Sequence, residues 1–435
     1  MGDKMFIYVV KPGDTLSSIA RKFGMDVSTL VEINDIADPN TIVVGEALII
    51  LQNLNTVYIV QKGDTLSSIA RKYNISLQEL LDINPSLTPP YQLKIGQRLT
   101  VEPNEEGRKR IWLNGFAYST SSSEEVANAL TDLTFLSIFA YRYDSNGNLV
   151  NIADDRLVQL TEKYESSALM VITNQNEKGS FSSEYADMLL KSTEKQNRLF
   201  EDIIKKLKET PYTGLVVDFE YVLPIDVDLY VEFLQRLKNE LRNAGKFMLF
   251  VALAPKYSSS QKGLLYEAHD YRRIGQIADY VILMTYEWGY TYGPPMAVSP
   301  IREVRRVVEY AITMIPKEKI MLGYPNYGYD FTLPYIKGKS KAKSVVNRDM
   351  PELAKRKHAI IQYDEYQQSP YFRYKEDGVE HIVYFSDARS IYAKSLLIQE
   401  YNLAGISIWT LNKYYAPIFE IVTSLYIINK IADDN

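Results

Sequence analysis

Ten residues, Gly13-Asp-Thr-Leu-Ser-Ser-Ile-Ala-Arg-Lys22, recur letter for letter as Gly63 to Lys72. Such self-similarity marks a tandem module, so the first hundred residues read as two copies of one small unit. The flanks repeat too: Tyr8-Val-Val10 answers to Tyr58-Ile-Val60, Ile33-Asn34 to Ile83-Asn84, and Val44-Gly45 to Ile95-Gly96 with a one-residue slip. In each copy a short strand meets a Gly-Asp turn. Leu16, Ile19, Ala20 and Phe23 (Leu66, Ile69, Ala70 and Tyr73 in the second) then fall at helical spacing. A second helix is expected to start at Ser28, and at Ser76 in the second copy, where Glu79 completes a capping box. A closing strand, Ala47 to Leu51 or Arg98 to Val101, gives βααβ.

Over residues 5–52 and 56–102 this pattern resembles the LysM family. The resemblance implies binding of N-acetylglucosamine units of peptidoglycan or chitin, in a shallow groove between the first turn and the loop after the second helix. Carried over, the groove uses Gly13, Asp14, Thr15 and Leu16 with Asn40, Thr41 and Ile42. In the second copy it uses Gly63, Asp64, Thr65 and Leu66 with Gln92, Leu93 and Lys94. Gly-Asp-Thr is also what a turn leading into a capped helix needs, with or without a ligand.

Composition narrows the rest. The 435 residues hold no cysteine, which excludes disulfides, thiolate nucleophiles and cysteine metal sites. His269, His358 and His381 lie far apart without HxxxH or HExxH spacing, so no metal site is expected. Net charge is -5, which recommends neither nucleic acid nor an anionic membrane as partner. No apolar run approaches the ~18 residues of a membrane span. The N-terminus carries no readable secretory signal. Tyrosine is abundant, 34 against 15 Phe and 3 Trp. Rings with a polar tip suit wet, sugar-binding surfaces, although most must fill the core.

Residues 103–110 are polar and broken by Pro and Gly, and read as a linker. From 111 to 435 apolar strand-like runs alternate with amphipathic helical stretches. The runs are Ile111 to Tyr118, Phe135 to Tyr141, Ala168 to Thr173, Gly214 to Glu220, Phe247 to Leu253, Tyr280 to Thr285, Ile320 to Tyr324 and Gly405 to Trp409. The helical stretches include Tyr185 to Lys208, Asp228 to Asn243, Ile301 to Ile315 and Asp387 to Tyr401. Eight β-then-α units make an α/β fold, a (β/α)8 TIM barrel after two small βααβ modules, the economical answer. A doubly wound open sheet is the rival. An excursion over the barrel mouth is expected near 326–385.

Barrel chemistry sits at the C-terminal ends of strands. The fourth strand ends in Asp218 and Glu220, two positions apart and therefore on one face. The sixth runs into Met284-Thr-Tyr-Glu-Trp288, the seventh into Gly323-Tyr-Pro-Asn-Tyr-Gly328, and the eighth ends at Trp409. This set resembles glycoside hydrolase family 18, whose fourth strand normally reads Asp-Gly-x-Asp-x-Asp-x-Glu. Here it reads Thr213-Gly-Leu-Val-Val-Asp-Phe-Glu220, keeping the last Asp and the Glu but not the first two acids. Further matches are Gly115-Phe-Ala-Tyr118, Val251-Ala-Leu-Ala-Pro255, Met284-Thr-Tyr286 and Gly405-Ile-Ser-Ile-Trp409.

The resemblance implies substrate-assisted cleavage without cofactor or metal, in which the substrate's 2-acetamido oxygen attacks the anomeric carbon. Glu220 is the implied general acid, Asp218 the holder of the acetamide N–H, and Tyr286 the holder of its carbonyl. Trp409 is the implied floor under the sugar, and Glu287 stands where the family commonly has Asp. Asn174, Tyr118, Trp288 and Tyr327 are further cleft-lining candidates. Val216 shares the inward face with both acids, so a methyl-bearing wall replaces the third carboxylate.

LysM repeats ahead of a family 18 barrel resemble the organisation of bacterial spore cortex-lytic enzymes. The leading expectation is a monomeric retaining N-acetylglucosaminidase acting on peptidoglycan, in the spore coat or cortex or at the cell wall. Chitinase or chito-oligosaccharide hydrolysis is the alternative within the enzyme class. A non-catalytic glycan-binding barrel is the alternative outside it, although such relatives generally lose the Glu that this chain keeps.

Overall fold

The computed structural model describes residues 4–431 except 41, 53–55, 74–75, 83, 85–86 and 102–107. Thr41, Ile83, the side chain of Glu79 and most of the expected linker thus lie outside the described residues.

Each sequence repeat closes on itself. In the first, Lys4–Val9 pairs antiparallel with Ala47–Gln52, and helices Leu16–Phe23 and Val27–Ile33 cover the pair. Thr15 and Ser18 cap the first helix reciprocally, each backbone N–H donating to the other's hydroxyl at 3.0 and 3.1 Å. Gly24 stops it at φ 68°, a left-handed conformation that glycine adopts without Cβ strain. The second helix starts at Val27, after an extended Asp26 in the N-cap position, and not at Ser28. The second repeat pairs Thr56–Ile59 with Arg98–Val101 under helices Leu66–Tyr73 and Leu77–Asp82.

The two repeats differ in what they lean on. Ile33 and Ile49 of the first are buried in the apolar cluster that also fills the space between barrel strands and barrel helices. The Ile361 N–H donates to the Val44 carbonyl at 3.1 Å, and the Arg389 guanidinium and Lys355 ammonium reach the carbonyls of Gly45 and Asn40. A Cβ on Gly45 would stand 1.8 Å from the Ile361 carbonyl oxygen, so only glycine permits this approach. Arg348 bridges Asp35 of the repeat at 3.9 Å and Glu125 of the barrel at 2.9 Å. Among the described residues, the second repeat's cluster, built on Ile69, Ala70, Leu80, Leu99 and Val101, draws only on its own residues.

Eight parallel strands close the barrel: Arg110–Tyr118, Phe135–Tyr143, Ser167–Thr173, Tyr212–Asp218, Met248–Leu253, Tyr280–Leu283, Ile320–Pro325 and Gly405–Trp409. The eighth pairs with the first, which begins at Arg110, a residue the sequence assigned to the linker. Alternation sorts each strand between two layers. On the fourth, Val216 points inward among Val171, Phe250 and Ile282, while Leu215 and Val217 face the helices.

The helices show the matching stripe. Val227–Ala244 buries Tyr230, Phe233, Leu234, Leu237 and Leu241, spaced three or four apart except for one adjacent pair. The expected helix from Tyr185 to Lys208 is two helices, Ser183–Leu190 and Thr193–Glu209. Ser192 lies between them in an extended conformation, and its hydroxyl accepts the Lys195 N–H, an N-cap that restarts the helix.

Between the seventh and eighth strands the chain builds a five-stranded antiparallel sheet. Gly328–Leu333 and Val379–Tyr384 lie at its centre, and helix Met350–Arg356 packs on one face. The other face carries Tyr329, Phe331, Ile382 and Tyr384 toward Ala297 and Val298 of the loop after the sixth strand. Among the described residues no helix is long and apolar enough to cross a membrane.

Candidate active site

The fourth strand's ladder ends at Asp218, paired with Thr173 on one side, so Glu220 lies two residues beyond the sheet rather than in it. Its backbone is held by side chains instead. Asn174, which follows the third strand, accepts the Glu220 N–H at 2.9 Å and donates to the Glu220 carbonyl at 2.8 Å. Asn174 is fully buried and also donates to the Ser182 carbonyl. Expected to line the cleft, it instead has both ends of its amide spent on backbone.

A cavity of about 140 Å³ opens at the strand ends, lined by Asp218, Glu220, Tyr286, Glu287, Tyr327 and Trp409 together with Phe116, Phe181, Ala252, Ile282 and Met284. Six sequence candidates thus meet at one place. Tyr118 sits at the rim, half exposed, with its ring edge-on to Trp409 at 6.0 Å. Trp288 turns outward and packs against the apolar layer between strands and helices, so it too leaves the cleft-lining set. Phe116 and Phe139 support Trp409 edge-to-face at 5.3 and 4.9 Å, which fixes the indole against the barrel's inner cluster.

Burial governs the electrostatics. Asp218 is 5 % exposed, its Oδ1 has no hydrogen-bond partner, and burial pushes its carboxyl up to about 7. Glu220 is raised well above the ordinary carboxylate range, first by burial, then by the charges of Asp218 and Glu287. Glu287 is also raised by burial, while the hydroxyls of Tyr327 and Tyr329 oppose this by donating to its oxygens. Its backbone is left-handed, φ 67°, a conformation that costs a non-glycine residue ~1–3 kcal/mol and aims the side chain at those two phenols. Burial also holds the Tyr286 phenol firmly neutral. Such a set can keep one acid protonated near neutrality beside a buried carboxyl with an open acceptor.

Two contributors escaped the sequence reading. Tyr329 comes from the insertion, more than forty positions after Glu287, and no spacing rule joins them. Phe181 arrives on a loop anchored by one bridge between Phe181 and Gln175. The positions that replace the family's first two acids are spent structurally: the Thr213 hydroxyl donates to the Ala168 carbonyl at 3.3 Å, and Val216 is fully buried. Among the described residues no group of three or more His, Asp or Glu is placed to hold a metal ion.

In the repeats, the side chains expected in the glycan groove are engaged locally. Asp14 accepts the Tyr8 hydroxyl at 2.7 Å and the Lys11 N–H at 2.8 Å; Asp64 does the same with Tyr58 and Gln61. Thr15 and Thr65 cap helices. Gly13 and Gly63 turn at φ 87° and 93° with open space beside them. Asn40, Gln92 and Lys94 are exposed, while Ile42 and Leu93 are half-buried.

The LysM domain model matches residues 8–51 and 58–102, and the model of glycosyl hydrolases family 18 matches residues 115–413. The chain is 43% identical to a cortical fragment-lytic enzyme of Bacillus subtilis, covering 94% of this chain and 95% of that one. The spore cortex-lytic enzyme SleL of Bacillus megaterium superposes with a TM-score of 0.83 at 36% identity, covering 99% of this chain and 100% of that one. SleL of Bacillus cereus gives 0.82 at 33% identity over 98% and 99%. The chain is a glycosidase of glycoside hydrolase family 18, preceded by two LysM domains.

Proposed function

We propose that the chain is a retaining N-acetylglucosaminidase that cleaves spore-cortex peptidoglycan or its fragments, with the substrate as its own nucleophile. The observation that carries this reading is the buried Oδ1 of Asp218, which has no partner at the mouth of the cavity. An acceptor withdrawn from water costs ~1–3 kcal/mol unless a donor meets it. The acetamide N–H of a bound N-acetyl sugar is such a donor, and binding it turns the carbonyl oxygen toward the anomeric carbon.

Glu220 protonates the leaving oxygen, a role served by its raised pKa, which keeps the carboxyl protonated near neutrality. Tyr286 donates its hydroxyl to the acetamide carbonyl, and Asp218 stabilises the positive charge of the cyclic intermediate. Water, activated by the same Glu220, then opens that intermediate, and two inversions retain configuration. Trp409 floors the sugar site. The LysM modules hold the polymer, so that modest affinity raises the local concentration of bonds to cut.

The relatives named for cortex and cortical fragments favour peptidoglycan over chitin. The test compares wild type with Glu220→Gln on purified cortex fragments and on chitin oligomers, followed by mass spectrometry of the products. Expected is a ~10²–10⁴-fold loss of reducing-end release on fragments, with retained configuration and N-acetylglucosamine at the new reducing end. Equal release by the two proteins would sink the reading.

A further inference from the structure

The backbone that carries Glu220 has left the sheet, and one side of its support is Asn174. Support from the other side comes from a residue with no part in the chemistry above. His269 is 1 % exposed and stands between the end of the fifth strand and the acid-bearing segment. The Ala254 N–H donates to its Nδ1 at 2.8 Å, so that nitrogen carries no proton. The proton is therefore on Nε2, which lies 3.0 Å from the Phe219 carbonyl and donates to it. Phe219 separates Asp218 from Glu220.

We propose that His269 is a positioning residue for Glu220, fixing the acid-bearing segment by donating from Nε2 to the Phe219 carbonyl. Three backbone groups past the strand end have no ladder partner among the described residues, and side chains from the segments that follow both flanking strands satisfy them. Asn174 takes the N–H and carbonyl of Glu220 from the third-strand side; His269 takes the carbonyl of Phe219 from the fifth. Neither side chain reaches the substrate cavity.

His269 is itself held. The Lys256 ammonium, 5 % exposed, donates to the His269 carbonyl at 3.0 Å. The Tyr271 hydroxyl donates to the Ala254 carbonyl at 2.6 Å and accepts the Lys256 N–H at 3.0 Å. Below the carbonyl, the Phe219 ring stacks on Tyr230 and Phe233. Burial holds the imidazole down to about 4, so the single-proton form that the geometry needs persists through neutral pH. A buried Lys and His beside an acid loop are costly groups to keep for packing alone. Their bonds all converge on one carbonyl and the loop that carries the imidazole.

The proposal rests on Glu220 being the acid, and the experiment separates the two. His269→Gln places an amide N–H near the Nε2 position and can still reach the Phe219 carbonyl; His269→Asn is one methylene shorter and cannot. Both stay neutral and polar, and their melting temperatures measure folding independently. On cortex fragments His269→Asn is expected to lose at least ~tenfold in kcat with KM within about twofold, the signature of a misplaced acid. His269→Gln is expected to stay within about threefold of wild type. Equal rates for the two variants, whether both high or both low, overturn the positioning role. An undiminished rate for Glu220→Gln instead overturns the assignment of the acid.

Discussion

Tyr329, on the insertion, and Glu287, on the barrel, are joined across the cleft: the phenol lies 3.1 and 3.2 Å from the two carboxylate oxygens. The insertion therefore bears on the charge that helps keep Glu220 protonated.

Removing that phenol should act on Glu220 at second hand. In Tyr329→Phe, Glu287 loses a donor to its ionised form, so its proton is held to higher pH. A Glu287 neutral more of the time raises Glu220 less, and Glu220 ionises sooner. The basic limb of the pH dependence of kcat/KM should move down by roughly a few tenths of a pH unit, with the acidic limb in place. A basic limb that stays or rises contradicts the linkage.

Asp218 should weaken the resting fold as pH rises. Its proton is held up to about 7 in the folded chain, and lost near the ordinary 3.8 when unfolded. Between those values the folded state binds more protons, so stability falls with rising pH, by on the order of 4 kcal/mol across the window. Asp218→Asn lacks that slope. The variant should melt progressively higher than wild type from pH 4 to pH 7 while losing most activity. Parallel melting curves over that range would remove the buried carboxyl from the account.

Restoring the family's missing acid gives a third test. Val216→Asp sets a carboxyl at a fully buried position on the inward face that Asp218 shares. Two such acids cannot both ionise freely, so one proton is shared between them and Asp218 swings away from Glu220. Both limbs of the pH–rate profile should move, and stability should drop by ~2–4 kcal/mol. Unchanged limbs would mean that Asp218 does not depend on the apolar wall.

The two repeats should respond differently to the same injury. Ile49→Ala opens a void in the core shared with the barrel and should cost ~2–5 kcal/mol in the main unfolding transition. Leu80→Ala, in the second repeat's separate core, should unfold that module alone and leave turnover of short soluble fragments intact. Calorimetry with limited proteolysis distinguishes the transitions; one transition shifted alike by both variants would make the repeats equivalent.

What was legible in the sequence was what neighbours in sequence decide. Apolar runs gave the eight strands, the ten-residue repeat gave the modules, and strand ends gave Asp218, Glu220, Tyr286 and Trp409 a common place. The alternation of the fourth strand continues past Asp218 to Glu220, whereas its ladder stops where its partner does. The long helix is divided at Ser192, whose cap on the Lys195 N–H is a local signal weaker than the continuous apolar stripe around it. Asn174 and His269 act on backbone groups of the segment just past the fourth strand, 46 and 50 positions away in sequence, an interaction that imposes no spacing and leaves no motif. Tyr329 meets Glu287 only because an entire sheet folds back over the barrel.

The fit of Gly45 against Ile361 has a mechanical corollary. A module on a slack leash lets a polymer wander past the blade at any offset. One seated in the barrel's own core carries whatever it grips at a set distance and bearing from the cut. The first repeat is therefore fixed relative to the catalytic cavity, as a tethered module would not be.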